Sequence, residues 1–124
     1  WQPETFITPG DLGTPTVELL GHTITAGICY DIHFLSADAG PALDRAEVLL
    51  FPSAWCDEGP DDLRAEILPE LARAHHVWIV NPNWGRGAPR TMGQGASRIV
   101  SPRGDEVART PDRDGPHVLR WTFR

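Results

Sequence analysis

The sequence predicts an α/β domain, on three observations. Residues 48–51 and 77–80 are short, continuous apolar runs, the length and composition of strands buried on both faces. Between them, residues 61–76 carry apolar side chains at helical spacing, so strand, helix and strand alternate. On either side the pattern changes to hairpin-like pieces: residues 17–20 and 23–28 are separated only by Gly21 and His22, and the stretch from Ala96 onward alternates strand-like runs with turn residues.

The elements follow in order. Residues 1–16 are rich in Pro, Gly and Thr, with a turn signal at Pro9, Gly10 and Asp11, so they form a loop leading into structure. That loop starts at Trp1 as if entered in midstream, and the expectation is that the 124 residues are one partial domain, a piece of a longer protein. Two strands, 17–20 and 23–28, come next. Residues 32–46 make a poor helix because Gly40 and Pro41 interrupt it, and they feed a strand over 47–51 closed by Pro52. Asp61 and Asp62 open a helix running to His76, with Leu63, Ile67, Leu71 and Ala74 as its apolar face and Pro69 bending it. The strand 77–80 ends at Asn81, Pro82 and Asn83. Strands at 96–100, 106–109 and 118–123 complete the chain, joined by turns at 101–105 and 111–116.

Composition excludes several classes of function. The net charge is −6 and no run of basic residues occurs, so the footprint for nucleic acid or an anionic membrane surface is missing. No apolar stretch approaches the length that spans a bilayer, and none follows a charged leader. Cys29 and Cys56 are the only cysteines, too few for a disulfide framework and without the spacing of a zinc site, which fits a soluble protein in a reducing, cytoplasmic setting with no metal. All eleven basic residues are arginine. Any chemistry that needs an amine must find it elsewhere.

Cys29 is the chemically pointed residue. It sits where the run 23–28 ends and Tyr30, Asp31 and Ile32 begin, and a strand-to-helix turn presents one side chain beside backbone N–H groups that favour a thiolate. The competing reading is a small buried hydrophobe, the common state of a free cysteine. Asp31 either lines a site or caps the following turn, the capping role being favoured. Trp55 and Cys56 follow the end of a strand, where α/β proteins place binding loops, although loop packing is the favoured explanation and Cys56 is not read as catalytic. His75 and His76 suit the end of a helix for dipole reasons alone. Asn83, Trp84, Gly85 and Arg86 form a loop able to contact substrate.

Taken together, Gly27-Ile28-Cys29-Tyr30-Asp31 followed by residues 46–55 resembles the nucleophile segment of the nitrilase superfamily, the carbon–nitrogen hydrolases. Residues 71–83 resemble that family's helix and strand ending in an asparagine-rich loop, and residues 95–104 its glycine-serine, apolar, proline-glycine hairpin. The resemblance implies an α-β-β-α sandwich, of which this chain is about the C-terminal half. It implies a cysteine, two glutamates and a lysine as catalytic groups. Cys29 matches the nucleophile and Glu4 the second glutamate, while the base glutamate and the lysine fall outside these residues. The backbone N–H of Tyr30 would serve the oxyanion, Asp31, Trp55 and Asn83 would border the substrate, and no metal or organic cofactor is required. The expected substrate is a small linear amide or nitrile, and the expected assembly a homo-oligomer.

Two departures stand out. Phe34 is followed by Leu35 and Ser36 where many members continue from an aromatic residue to proline and glutamate. Ile32 and His33 stand where members acting on carbamoyl amino acids carry arginines. A non-catalytic domain that keeps the fold for assembly is the alternative, favoured by the lack of lysine. A class I glutamine amidotransferase fits less well, because no glycine follows soon after Cys29.

Overall fold

One six-stranded sheet organises the chain, with its strands in the order in which the sequence supplies them. The computed structural model describes residues 6, 8, 10–56, 62–85, 94–111 and 116–123. The strands are β1 (Val17–Leu19), β2 (His22–Ala26), β3 (Val48–Leu50), β4 (Trp78–Asn81), β5 (Arg98–Val100) and β6 (Glu106–Arg109). β1 and β2 form the expected antiparallel hairpin. Its turn residues Leu20 and Gly21 both have positive φ, 54° and 83°, the pair of left-handed residues that a type I′ turn requires.

The centre of the sheet is parallel. Ile24, Val48 and Trp78 lie side by side in register across β2, β3 and β4. Parallel neighbours need crossovers, and these are helical. A 3-10 turn (Cys29–His33), α1 (Leu35–Asp38) and α2 (Gly40–Leu43) connect β2 to β3, and α3 (Arg64–His75) connects β3 to β4. The poor helix expected over 32–46 is thus three short pieces. Pro41 sits in the first turn of α2, where a missing N–H costs little. β5 and β6 add an antiparallel hairpin, whose turn is held by Gly104 N–H to Ser101 O at 2.8 Å.

The crossovers cover one face of the sheet. Leu49, Phe51, Ile79 and Val100 point into a core with Ile32, Leu35 and Leu43 from the first crossover and Leu68, Leu71 and Ala72 from α3. The buried stripe of α3 is Arg64, Leu68, Leu71 and Ala72, one residue out of phase with the face expected from Leu63, Ile67, Leu71 and Ala74. Leu63 is half exposed and Ala74 is exposed. The phase is set by Arg64, whose charged type excludes it from a composition-based core.

The other face is less covered. β3 was expected to be buried on both sides, yet Leu50 remains 39% exposed. It borders a groove of about 510 Å³ with Leu19, Val80, Trp121 and Phe123. Residues 118–123 form no strand; they lie across this face instead, with the Trp121 and Phe123 rings 6.3 and 5.2 Å from the Trp78 ring. Aromatic packing, rather than backbone pairing, places that segment.

The helix phase generates a direct check. Leu68→Ala removes a fully buried side chain and should destabilise by about 2–5 kcal/mol, while Leu63→Ala should cost under about 1 kcal/mol, both read by chemical denaturation.

Candidate active site

The parallel pairing continues past the ends of the strands and delivers Cys29 to its position. Gly27 N–H donates to Leu50 O at 3.1 Å, Cys29 N–H to Pro52 O at 3.0 Å, and Ser53 N–H to Pro82 O at 2.9 Å. Three loops therefore meet beyond the carboxyl ends of β2, β3 and β4, the usual place for a ligand in an open α/β sheet.

Cys29 itself turns the chain there. Its φ is 49°, a left-handed conformation that costs a non-glycine residue of order 1–3 kcal/mol and persists only when its surroundings impose it. The imposition is visible. Asp31 Oδ2 accepts the Ile28 N–H at 2.8 Å and Asp31 N–H donates to Ile28 O at 3.0 Å, closing the turn around Cys29. Below it, Leu35 packs so close to Gly27 that a Cβ there would lie 2.9 Å from Leu35 Cδ1.

Cys29 opens on a cavity of about 370 Å³, shared with Ile28, Ser53, Pro82, Asn83 and Trp84. Of the residues singled out by sequence, this cavity unites Cys29, Asn83 and Trp84. Asp31 lies in a separate cleft of about 270 Å³ with Phe34 and Asp38, and its carboxylate caps the turn by accepting the Ile28 N–H. Tyr30 is half exposed, its ring 5.0 Å from that of His33, which in turn lies 5.7 Å from the buried Trp55. Glu4 lies outside the described residues. Cys56 is exposed. His75 is held on the helical side, Nδ1 at 2.6 Å from Asp44 Oδ1 and Nε2 at 3.3 Å from Ser36 Oγ. Among the described residues, no group of three or more His, Cys, Asp or Glu is placed to hold a metal ion, and no helix is long and apolar enough to cross a membrane.

The Asn83 carboxamide is fully engaged. Its Oδ1 accepts the Ser53 hydroxyl at 2.8 Å and the Trp55 N–H at 2.7 Å, and its Nδ2 donates to Trp55 O at 3.2 Å and Gly95 O at 2.9 Å. A carboxamide has two lone-pair sites and two N–H donors, so its strongest service is to tie the loops after β3 and β4 together.

Beneath these loops lies a group of residues that sequence reasoning missed. Arg64 and Arg98 are essentially excluded from solvent, and Asp62 joins them. Asp62 grips the Arg64 fork with Nε–Oδ1 and Nη2–Oδ2 contacts of 2.9 Å each, and it also accepts from Arg98 Nη2. Asp62 and Arg64 are two positions apart and Arg98 arrives from another strand, so neither helical spacing nor any local motif signals the cluster. The only hint is a charged residue at a core-facing phase. Burial works to raise the Asp62 pKa, but the hydrogen bonds and charges of Arg64 and Arg98 prevail and hold it below its ordinary 3.8.

A carboxylate lowered in the folded state contributes stability that is present above the unfolded pKa and lost as pH falls through the folded one. The protein should therefore lose stability as pH drops below about 4, and Asp62→Asn should be less stable near neutrality with a flatter acid limb, measured as melting temperature against pH. Gly27→Ala should destabilise by about 1–3 kcal/mol by displacing the buried Leu35, seen in the same melts.

No protein-family profile matches the chain. A citrullinase from Francisella tularensis is 28% identical over 99% of the chain, which corresponds to 46% of that protein. Among solved structures, a cysteine-to-alanine variant of the amidase of the nitrilase superfamily from Nesterenkonia AN1 superposes with a TM-score of 0.76 at 21% identity, over 93% of this chain and 44% of that one. A glutamate-to-glutamine variant of the amidase from Nesterenkonia sp. AN1, carrying the acetamide moiety of fluoroacetamide on its active-site cysteine, gives a TM-score of 0.76 at 22% identity over the same shares. The chain spans a little under half the length of these relatives. Its α/β fold is that of the nitrilase-superfamily amidases, and its sequence resembles the carbon–nitrogen hydrolases across its whole length.

Proposed function

We propose that this chain is the nucleophile-bearing, C-terminal part of a carbon–nitrogen hydrolase, with Cys29 as the attacking group. The supporting observation is Cys29 itself: a non-glycine residue held at φ 49° where three parallel-strand loops meet, opening on a cavity, in a fold shared with amidases. At about 370 Å³ the cavity suits a small linear amide.

The chemistry follows from the residue types. A glutamate general base removes the Cys29 thiol proton, and the thiolate attacks the amide carbon to form a carbon–sulfur bond. Negative charge gathers on the substrate oxygen, where the backbone N–H of Tyr30 and a lysine ammonium stabilise it. The carbon–nitrogen bond breaks, the amine leaves with the proton held by the glutamate, and water activated by the same carboxylate hydrolyses the thioester. Glu4 is the second glutamate in this scheme, the base glutamate and the lysine belong to the parent protein outside these residues, and no metal or organic cofactor takes part. Asp31 fixes the turn, while Trp55 and Asn83 border the substrate loops. The same family reading implies a homo-oligomer, and the two free cysteines fit a cytoplasmic setting.

Cys29→Ser in the parent protein should lower amide turnover by at least about a thousandfold without lowering the melting temperature appreciably. Retained turnover would overturn the assignment.

A further inference from the structure

The loops around Cys29 rest on hydrogen bonds that all run in one direction. Arg64 Nη1 donates to Asn81 Oδ1 at 3.1 Å. Asn81 Nδ2 donates to Phe51 O at 2.7 Å and to Ser53 Oγ at 2.9 Å. The Ser53 hydroxyl donates to Asn83 Oδ1 at 2.8 Å. Groups with no choice fix the orientation at both ends. Arg64 can only donate, so it selects the oxygen of Asn81, and the Phe51 carbonyl can only accept, so it selects the nitrogen. The Trp55 N–H likewise selects the oxygen of Asn83, and the Trp55 and Gly95 carbonyls select its nitrogen. Ser53, between two fixed carboxamides, has one arrangement left for its proton.

Arg64 is in turn held by its own partners. Four donations hold its guanidinium: two to Asp62, one to Asn81 and one to Gly95 O at 3.2 Å. Its fork reaches the start of α3, the end of β4 and the loop before β5 at once, a span that the single ammonium of a lysine cannot reproduce. Asn81 is wholly buried, whereas Ser53 and Asn83 line the Cys29 cavity.

From this arrangement we infer that Arg64 is a positioning residue for the Cys29 site: through Asn81 and Ser53 it sets the separation and orientation of the two loops facing the thiol. The inference deepens the hydrolase reading and rests on it for its consequence in turnover, but its geometric content is independent of that reading. Arg64 touches neither the cavity nor any reacting atom. Its effect is to keep the wall opposite Cys29 in one arrangement, which matters because misplacing a wall by about 1 Å can slow a reaction by about a hundredfold while leaving binding less affected.

The two cysteines provide the experiment. Cys29 is partly buried and Cys56 is exposed, so labelling with a bulky maleimide, followed by mass spectrometry, gives Cys29 accessibility against an internal reference. In the full protein, Arg64→Lys should raise the Cys29 to Cys56 labelling-rate ratio by about fivefold or more, since even a modest loosening of the wall multiplies the open population by that factor. Ser53→Ala, a smaller change that cuts the chain at its last link, should raise the same ratio in the same direction. A merely structural Arg64 would lower the melting temperature and leave the ratio unchanged in the folded protein, which would overturn the inference; should Arg64→Lys not fold, the ratio in Ser53→Ala decides alone. Where the wild type hydrolyses an amide, kcat in Arg64→Lys should fall about tenfold with KM moved less than about threefold, and an unchanged kcat would also overturn it. A wild type with no amide turnover would count against the hydrolase reading only, because the labelling ratio reads the wall without it.

Discussion

The shared carboxylate of Asp62 is the interaction on which the remaining architecture depends. Two guanidinium groups are withdrawn from water under the loops at the carboxyl ends of the parallel strands, and an unpaired buried charge would be prohibitive. Asp62 offsets one of the two charges while occupying three of their donors, and Arg109 stands 3.8 Å from the same carboxylate. Glu106 adds a second negative charge 3.2 Å from Arg98 Nη1. Because these groups come from the start of α3, from β5 and from β6, the electrostatic requirement fixes how helix and hairpin sit against the sheet. Replacing such a cluster with apolar side chains can leave stability unchanged or higher, so its significance lies in the geometry it imposes.

From there the organisation passes upward through neutral groups. The amide of Asn81 and the hydroxyl of Ser53 transmit a fixed direction from the charged base to Asn83, whose carboxamide is filled by the Ser53 hydroxyl and the backbone of Trp55 and Gly95. The polar side chains of Ser53 and Asn83 that border the cavity are therefore satisfied by the protein. Opposite them, the turn at Cys29 is held by different means: continued parallel pairing, the Asp31 cap and the close approach of Leu35 to Gly27. The two sets of supports meet in the loop after β3, where Pro52 O accepts the Cys29 N–H and Ser53 takes up the chain from Arg64.

Much of this was legible in the sequence, and what was not has a physical reason. The β1–β2 hairpin, the alternation of strand and helix, the fractured crossover at Gly40 and Pro41 and the turn at Cys29 all follow from local chemistry, although the hairpin turns at Leu20 and Gly21, one residue before the expected Gly21 and His22. Turn residues, proline and short apolar runs act over a few positions, and sequence reports them well. The phase of α3 was not legible, because an arginine at a core position earns its burial only from Asp62 and Arg98. The segment 118–123 has strand-like composition, yet its aromatic rings find Trp78 on the open face, a contact that no local pattern encodes. Within the site, Cys29 and Asn83 were recognisable at the ends of strands, whereas Arg64, Asn81 and Ser53 become related only when β3 and β4 lie side by side with α3 packed against them. Glu4 stays an expectation from the family resemblance.

The left-handed backbone at Cys29 carries a consequence for the history of the chain. Glycine adopts that conformation without steric cost, so selection for folding alone pulls this position toward glycine. A cysteine there runs against the gradient, and a lineage that stopped using the thiol would gain by shedding it. The side chain at residue 29 is thus a sensor of selection: its persistence separates a turn under chemical demand from a relic kept only for shape.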